Sequence, residues 1–101
     1  MTAMKHPTVE EIALERVLYA LSDPLRLSIV RQLDREGHAS CGALDRGRPK
    51  SSVSHHFRVL RDSGLLRTRT DGAAHINELR RTELDALFPG LLDAILPRGE
   101  T

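Results

Sequence analysis

Apolar positions recur along this chain with a helical period, broken by one stretch that alternates. Val53, His56, Phe57 and Leu60 stand at i, i+3, i+4 and i+7, which is one face of an α-helix. At 100° per residue, Phe57 and Leu60 fall within about 40° of Val53, and Ser51, His55 and Arg58 fall within about 40° of the opposite pole. The spacing thus predicts a helix from about Pro49 to Ser63 with a dry back and a small, polar, cationic front, stopped by Gly64. Upstream, Thr8 and Glu11 have the spacing of a capping box. They open a predicted helix running to about Leu21, with Ile12, Ala13, Val17, Leu18 and Leu21 as its stripe. Asp23-Pro24 is a cap followed by a residue suited to the first turn, and the next helix runs to about Glu36, where Gly37 ends it. Leu25, Leu27, Ile29, Val30 and Leu33 spread over more than one of its faces, as expected of a central helix.

Ser40 caps a short third helix, about Cys41 to Asp45, and Gly47-Arg48-Pro49 is the turn into the basic helix. Two short helices around a tight turn, the second one basic, are a helix-turn-helix. Then the period changes. Leu65 to Thr70 and Ala74 to Leu79 read as strands joined across Asp71-Gly72, a strong hairpin signal. Arg67 and Arg69, two apart, share one face of the first strand. A last helical region after Thr82 is interrupted by Pro89-Gly90, which predicts a kink or two helices. The expected fold is mainly α with a small β-hairpin, a winged helix-turn-helix in the order α-α-α-α-β-β-α. The domain spans residues 8–96, with flexible tails at 1–7 and 97–101. Val17, Leu84, Leu87, Phe88, Leu91, Leu92 and Ile95 on the terminal helices exceed what a small domain covers alone, and are expected to form a dimer interface.

Charge sharpens this picture. The net charge of +1 conceals a basic middle: from Arg46 to Arg69 there are seven cationic residues and one acid, Asp62, whereas both flanks are net acidic. That distribution is expected if one surface meets phosphates and the others do not. Aromatic residues are Tyr19, Phe57 and Phe88 with no Trp, too few for the stacking platforms that hold single strands. The partner expected is therefore a double-stranded operator. No apolar run approaches membrane-spanning length and no signal pattern opens the chain. A single cysteine, Cys41, suits a reducing compartment, and the expected location is the cytoplasm. No phosphate loop, metal-ligand motif or catalytic constellation is present, so neither an enzyme nor a cofactor is expected.

The run Ala20-Leu21-Ser22-Asp23-Pro24-Leu25-Arg26-Leu27-Ser28-Ile29-Val30 resembles the A-L-x-D-P-x-R-L-x-I-L signature of ArsR-type (ArsR/SmtB) winged-helix repressors. The run from Ser52 to Leu66 is similar to the same family's T-V-S-x-H-L-x-V-L-R-x-A-G-L-V. The likeness covers about residues 9–96. It implies a homodimeric repressor that binds an inverted-repeat operator and releases it when an effector binds. Lys50, Ser51, Ser52, Ser54 and His55 then match the start of the recognition helix, facing bases and phosphates. Arg58 is a phosphate contact, and Arg67, Arg69 and the Asp71–Ala73 turn match the wing. His56 matches the family's histidine, near the apolar side, where a packed and hydrogen-bonded role is expected. The chain departs from the metal-sensing members. The place of their C-x-C pair reads Ala39-Ser40-Cys41-Gly42, and residues 82–96 hold no histidine. No metal site is expected. A thiol- or metal-responsive sensor using Cys41, with His38 and His6 across a dimer, is one alternative, and a winged helix used only for protein contacts is another. The effector is open.

Overall fold

Elements form where local chemistry starts and stops them. The computed structural model describes residues 4–96. Helix α1 (Leu14–Leu21) is followed by α2 (Pro24–Glu36), β1 (His38–Ser40), α3 (Cys41–Leu44), α4 (Lys50–Asp62), β2 (Leu66–Asp71), β3 (Ala74–Leu79), α5 (Arg81–Leu87) and α6 (Leu91–Ile95). The caps are those expected for α2 and α3. Asp23 Oδ2 accepts from the Arg26 N–H at 3.0 Å, and Ser40 Oγ accepts from the Ala43 N–H at 3.1 Å. At the end of α4 the Gly64 N–H donates to Arg61 O and the Leu65 N–H to Leu60 O. These two bonds are a Schellman closure, and Gly64 takes the φ of +90° that it needs.

The first helix is shorter than expected. Glu11 does accept from the Thr8 N–H at 2.8 Å, but the capping box closes only a single 3₁₀ turn, Val9–Glu11. The chain extends at Ile12 and Ala13 before α1 begins. The extended stretch accompanies a contact with a residue far along the chain. Ile12 is 9% exposed and lies over Gly64, where a Cβ would stand 2.6 Å from Ile12 Cγ1.

The sheet has three strands in the order β1-β3-β2, both pairings antiparallel. The unexpected strand, His-Ala-Ser, has no apolar alternation of its own and forms because β3 offers an edge. Buried Asn77 secures it: its Nδ2 donates to Ala39 O and to Cys41 Sγ, while its Oδ1 accepts from Thr68 Oγ1 at 2.6 Å. The hairpin turns through Gly72-Ala73, one residue later than expected, with Asp71 paired to Ala74. Gly72, at φ +61°, occupies the first central position, where a two-residue turn of type II′ wants glycine.

The core is one cluster shared by all layers, including Val17, Ile29, Leu33, Leu44, Leu60, Leu65, Leu66 and Leu84. Residues 4–7, expected to be frayed, are docked. His6 Nε2 accepts from the Thr68 N–H on the open edge of β2, and Pro7 O accepts from Arg80 Nη1 at 2.8 Å. The edge strand's N–H would otherwise lack a partner, and the arm supplies one. Residues 1–3 and 97–101, the remainder of the expected tails, lie outside the described residues.

Gly64→Ala should lower unfolding free energy by about 1–3 kcal/mol, from the positive φ and the contact with Ile12 together. In denaturant titrations the double change Gly64→Ala with Ile12→Ala should cost less than the sum of the two single changes, because truncating Ile12 removes the collision.

Candidate nucleic-acid interface

Helix α4 has three working sides. Val53, Phe57 and Leu60 are buried at 3%, 3% and 0% exposure and lock its back into the core. Opposite them lie Ser51, His55 and Arg58, all exposed. The third side, Lys50, Ser54, Phe57 and Arg61 at i, i+4, i+7 and i+11, lines a cleft facing the hairpin residues Ala73, Ala74 and His75. The residues expected at the DNA surface therefore divide. Ser51, His55 and Arg58 form the outward stripe, while Lys50 and Ser54 turn toward the wing. Ser52 lies about 100° back from Val53, on the remaining flank. Its hydroxyl donates to Pro49 O at 3.0 Å and so closes the first turn of the helix. Only its lone pairs are left to accept from a base.

Behind the stripe stands Arg26, 5% exposed. Its Nε donates to Ala20 O at 2.8 Å and its Nη2 to Tyr19 O at 3.2 Å, the carbonyls at the end of α1. Its guanidinium carbon lies 5.1 Å from the Tyr19 ring centroid. Nη1 is 3.1 Å from His56 Nδ1 on α4. A guanidinium can only donate, so Nδ1 accepts and the ring proton belongs on Nε2. Asp23 Oδ2 lies 3.9 Å from the same ring nitrogen. The Arg26 backbone N–H, helped by the Arg26 guanidinium, holds the Asp23 carboxyl below the usual range. His56 is thus packed and hydrogen-bonded. The role of Arg26 was missed from sequence, although a signal existed. Arg26, Ile29, Val30 and Leu33 stand at i, i+3, i+4 and i+7, so the arginine occupies an apolar position of α2.

The turn into α4 is tied down by charge as well. Asp45 Oδ1 accepts from the Gly47 N–H at 2.9 Å. Arg46, with a φ of +59°, donates to Gln32 Oε1 and to Ser28 O on α2. One of the seven cations of the basic middle is therefore a brace.

The two wing arginines differ. Arg67 lies opposite Glu78 in the ladder and 3.1 Å from Glu83 of α5, so its charge is compensated at the base of the hairpin. Arg69 lies opposite Ile76, is exposed, and enters no ion pair among the described residues. Arg80, 4% exposed, grips Glu83 through Nε at 2.8 Å and Nη2 at 3.1 Å. That fork holds the Glu83 carboxyl below the usual range, and Arg67 adds to the effect. Among the described residues no hydrogen bond or ion pair joins Arg67 or Arg69 to the outward stripe of α4.

The expected partner surface changes most. Val17, Leu84 and Leu92 are 0%, 1% and 1% exposed and pack in the chain's own core, so they present nothing to a second molecule. Leu87, Phe88, Leu91 and Ile95 are half-buried. The open apolar face is instead on α1, where Leu14, Leu18 and Tyr19 are 42%, 47% and 59% exposed. Leu18 was expected in the buried stripe; Ala20 takes that place. Among the described residues no three His, Cys, Asp or Glu side chains converge as a metal site. Among the described residues no helix is long and apolar enough to cross a membrane.

Burial and the neighbouring Arg80, Arg67 and Arg61 charges lower the pKa of His6 from its usual 6.5. The unfolded chain then binds the proton more readily, so the arm's contribution is complete above pH 6.5 and declines as pH falls below it. The protection factor of the Thr68 amide, its exchange rate relative to the unstructured rate at the same pH, should fall on acidification through that range, and His6→Ala should leave it low at every pH.

A helix-turn-helix domain model matches residues 21–69. The HTH-type transcriptional regulator YceK of Bacillus subtilis is 35% identical over 83 residues, covering 79% of this chain and 83% of that protein. An arsenical resistance operon repressor of Staphylococcus xylosus is 34% identical over 79 residues, 77% of this chain and 76% of the relative. Among solved structures, an ArsR family transcriptional regulator superposes with a TM-score of 0.67 at 26% identity, covering 80% of this chain and 90% of that one. The transcriptional repressor BigR from Xylella fastidiosa gives 0.62 at 29% identity, with 84% and 88% covered. Both signature runs, the three-stranded wing and these likenesses agree, and the chain belongs to the ArsR family of winged helix-turn-helix transcriptional regulators.

Proposed function

We propose that this chain acts as a homodimeric repressor that lays α4 in the major groove of an inverted-repeat operator. The observation that carries the proposal is the outward stripe. Ser51, His55 and Arg58 are exposed on a helix whose opposite side is locked in the core, and Arg58 enters no ion pair among the described residues. A hydroxyl and an imidazole can read base edges, while Arg58 and Arg69 supply phosphate contacts. Arg67 contributes less, being held by Glu83. The start of a 13-residue helix adds a positive pole near the phosphates. A second copy supplies the second half-site about one helical turn away. Exposed Leu14, Leu18 and Tyr19 support the dimer, and half-buried Leu87, Phe88, Leu91 and Ile95 offer further apolar area. Release by an effector completes the cycle.

Selection of bound genomic fragments in vitro should return a two-fold symmetric site. On that site log K should fall linearly with log salt, and Arg58→Ala should flatten the slope by about 0.9 if it removes one phosphate contact. His55→Ala should instead cost about 1–3 kcal/mol on the selected site and little on random duplex. A slope near zero for the parent protein would sink the proposal.

In sedimentation equilibrium Leu18→Glu should shift the protein toward monomer and weaken operator binding in parallel. A variant that remains dimeric would place the interface elsewhere.

A further inference from the structure

Between α4 and the hairpin tip lies a cleft of about 540 Å³. That volume falls within the range of small-molecule sites, roughly 300–1,000 Å³. Its walls are apolar: Val53 and Phe57 from α4 face Ala73 and Ala74 of the hairpin, and Met4 of the docked arm stands beside them. Two of its three charged groups are cations. Lys50 and Arg61 stand at the two ends of the α4 stripe, and the His75 imidazole faces them from β3. None of the three is in an ion pair among the described residues, and Asp45 is the one acid in the lining. Lys50 also sits at the first turn of α4, where the helix pole favours an anion. Ser54 lies between Lys50 and Arg61 and offers a hydroxyl. An apolar slot flanked by unpaired cations fits a ligand with an apolar body and one negative end.

We propose that this cleft is a binding site for a small amphipathic carboxylate, seated with its apolar body between Phe57 and the Ala73–Ala74 tip and its carboxylate toward Arg61 and Lys50. An occupant there would hold the wing at a set distance from α4. It would also draw Lys50 and Arg61 away from phosphates. The site is thus placed to loosen DNA by competing for charge and by moving one contact surface against the other. That consequence rests on the DNA-binding reading, whereas occupancy of the cleft does not.

The test uses naphthoate as the probe, titrated into the isotope-labelled full chain without DNA and followed by the amide resonances of Gly42, Ala73 and Ala74. Two controls separate the components: naphthalenemethanol keeps the body without the charge, and inorganic phosphate keeps charge without the body. Saturable shifts with naphthoate are expected, with at least tenfold weaker binding of the alcohol and no saturation by phosphate. Arg61→Gln should weaken naphthoate at least tenfold, and Ala73→Trp, which fills the slot from an exposed turn position, should abolish the shifts while the remaining spectrum stays folded. Failure of naphthoate to saturate at millimolar concentration would overturn the proposal. So would equal binding of the alcohol, which would mark an unselective greasy slot, or saturation by phosphate, which would mark a seat for the DNA backbone. A chain that binds naphthoate as expected but no duplex would refute the repressor reading and leave this site standing.

Discussion

A single buried guanidinium carries the architecture behind the DNA-facing surface. Arg26 buries a guanidinium, and that burial is tolerable because each of its three nitrogens has a hydrogen-bond partner. Two of the satisfying groups are carbonyls at the negative end of α1, and the third is the His56 ring on α4. One side chain of α2 thereby fixes the end of the helix before it and the rotation of the helix that carries the outward stripe. An ion pair alone would not set angles in this way. The planar fork does, because its nitrogens are fixed in one plane and each points a donor at its own acceptor.

Charge elsewhere is spent on construction rather than display. Arg80 is buried against Glu83 and ties the docked arm through Pro7. Arg81 bonds Asp34 on α2, Asp85 on α5 and Asp93 on α6, so one guanidinium joins three helices. Arg46 braces the turn to α2. The basic middle of the sequence is therefore less basic as a surface than as a string. What remains of it without an ion pair among the described residues, Arg48 at the turn, Arg58 and Arg69 outward and Lys50 and Arg61 toward the cleft, is where ligands with negative charge would find a partner.

Much of this fold was legible along the chain. The helical stripes of α2 and α4, the Asp23 and Ser40 caps, the stop at Gly64 and the Asp-Gly hairpin are all local, and each was read from residues within a few positions of one another. The interruption of the last helix at Pro89-Gly90 was read the same way, and α5 and α6 are indeed separate. The misreadings have a common cause. The helix expected from Thr8 breaks where Ile12 packs over Gly64, and strand β1 exists because β3 offers it an edge. Residues 6 and 7 are held by Thr68 and Arg80, more than sixty residues away. Val17, Leu84 and Leu92 were read as surface because periodicity reports that a face is apolar, without saying what covers it.

The amino-acid order by itself determined the element types, the helix-turn-helix with its wing and the basic segment, because period, caps and turn residues act over one or two turns of chain. Only the tertiary structure decided which cations are unpaired and which of the three sides of α4 each polar residue occupies. It also decided which apolar residues remain open to a partner. Those properties depend on burial and on ion pairs between residues far apart in sequence, and no local pattern encodes the distance between Arg67 and Glu83 or the cover over Leu84.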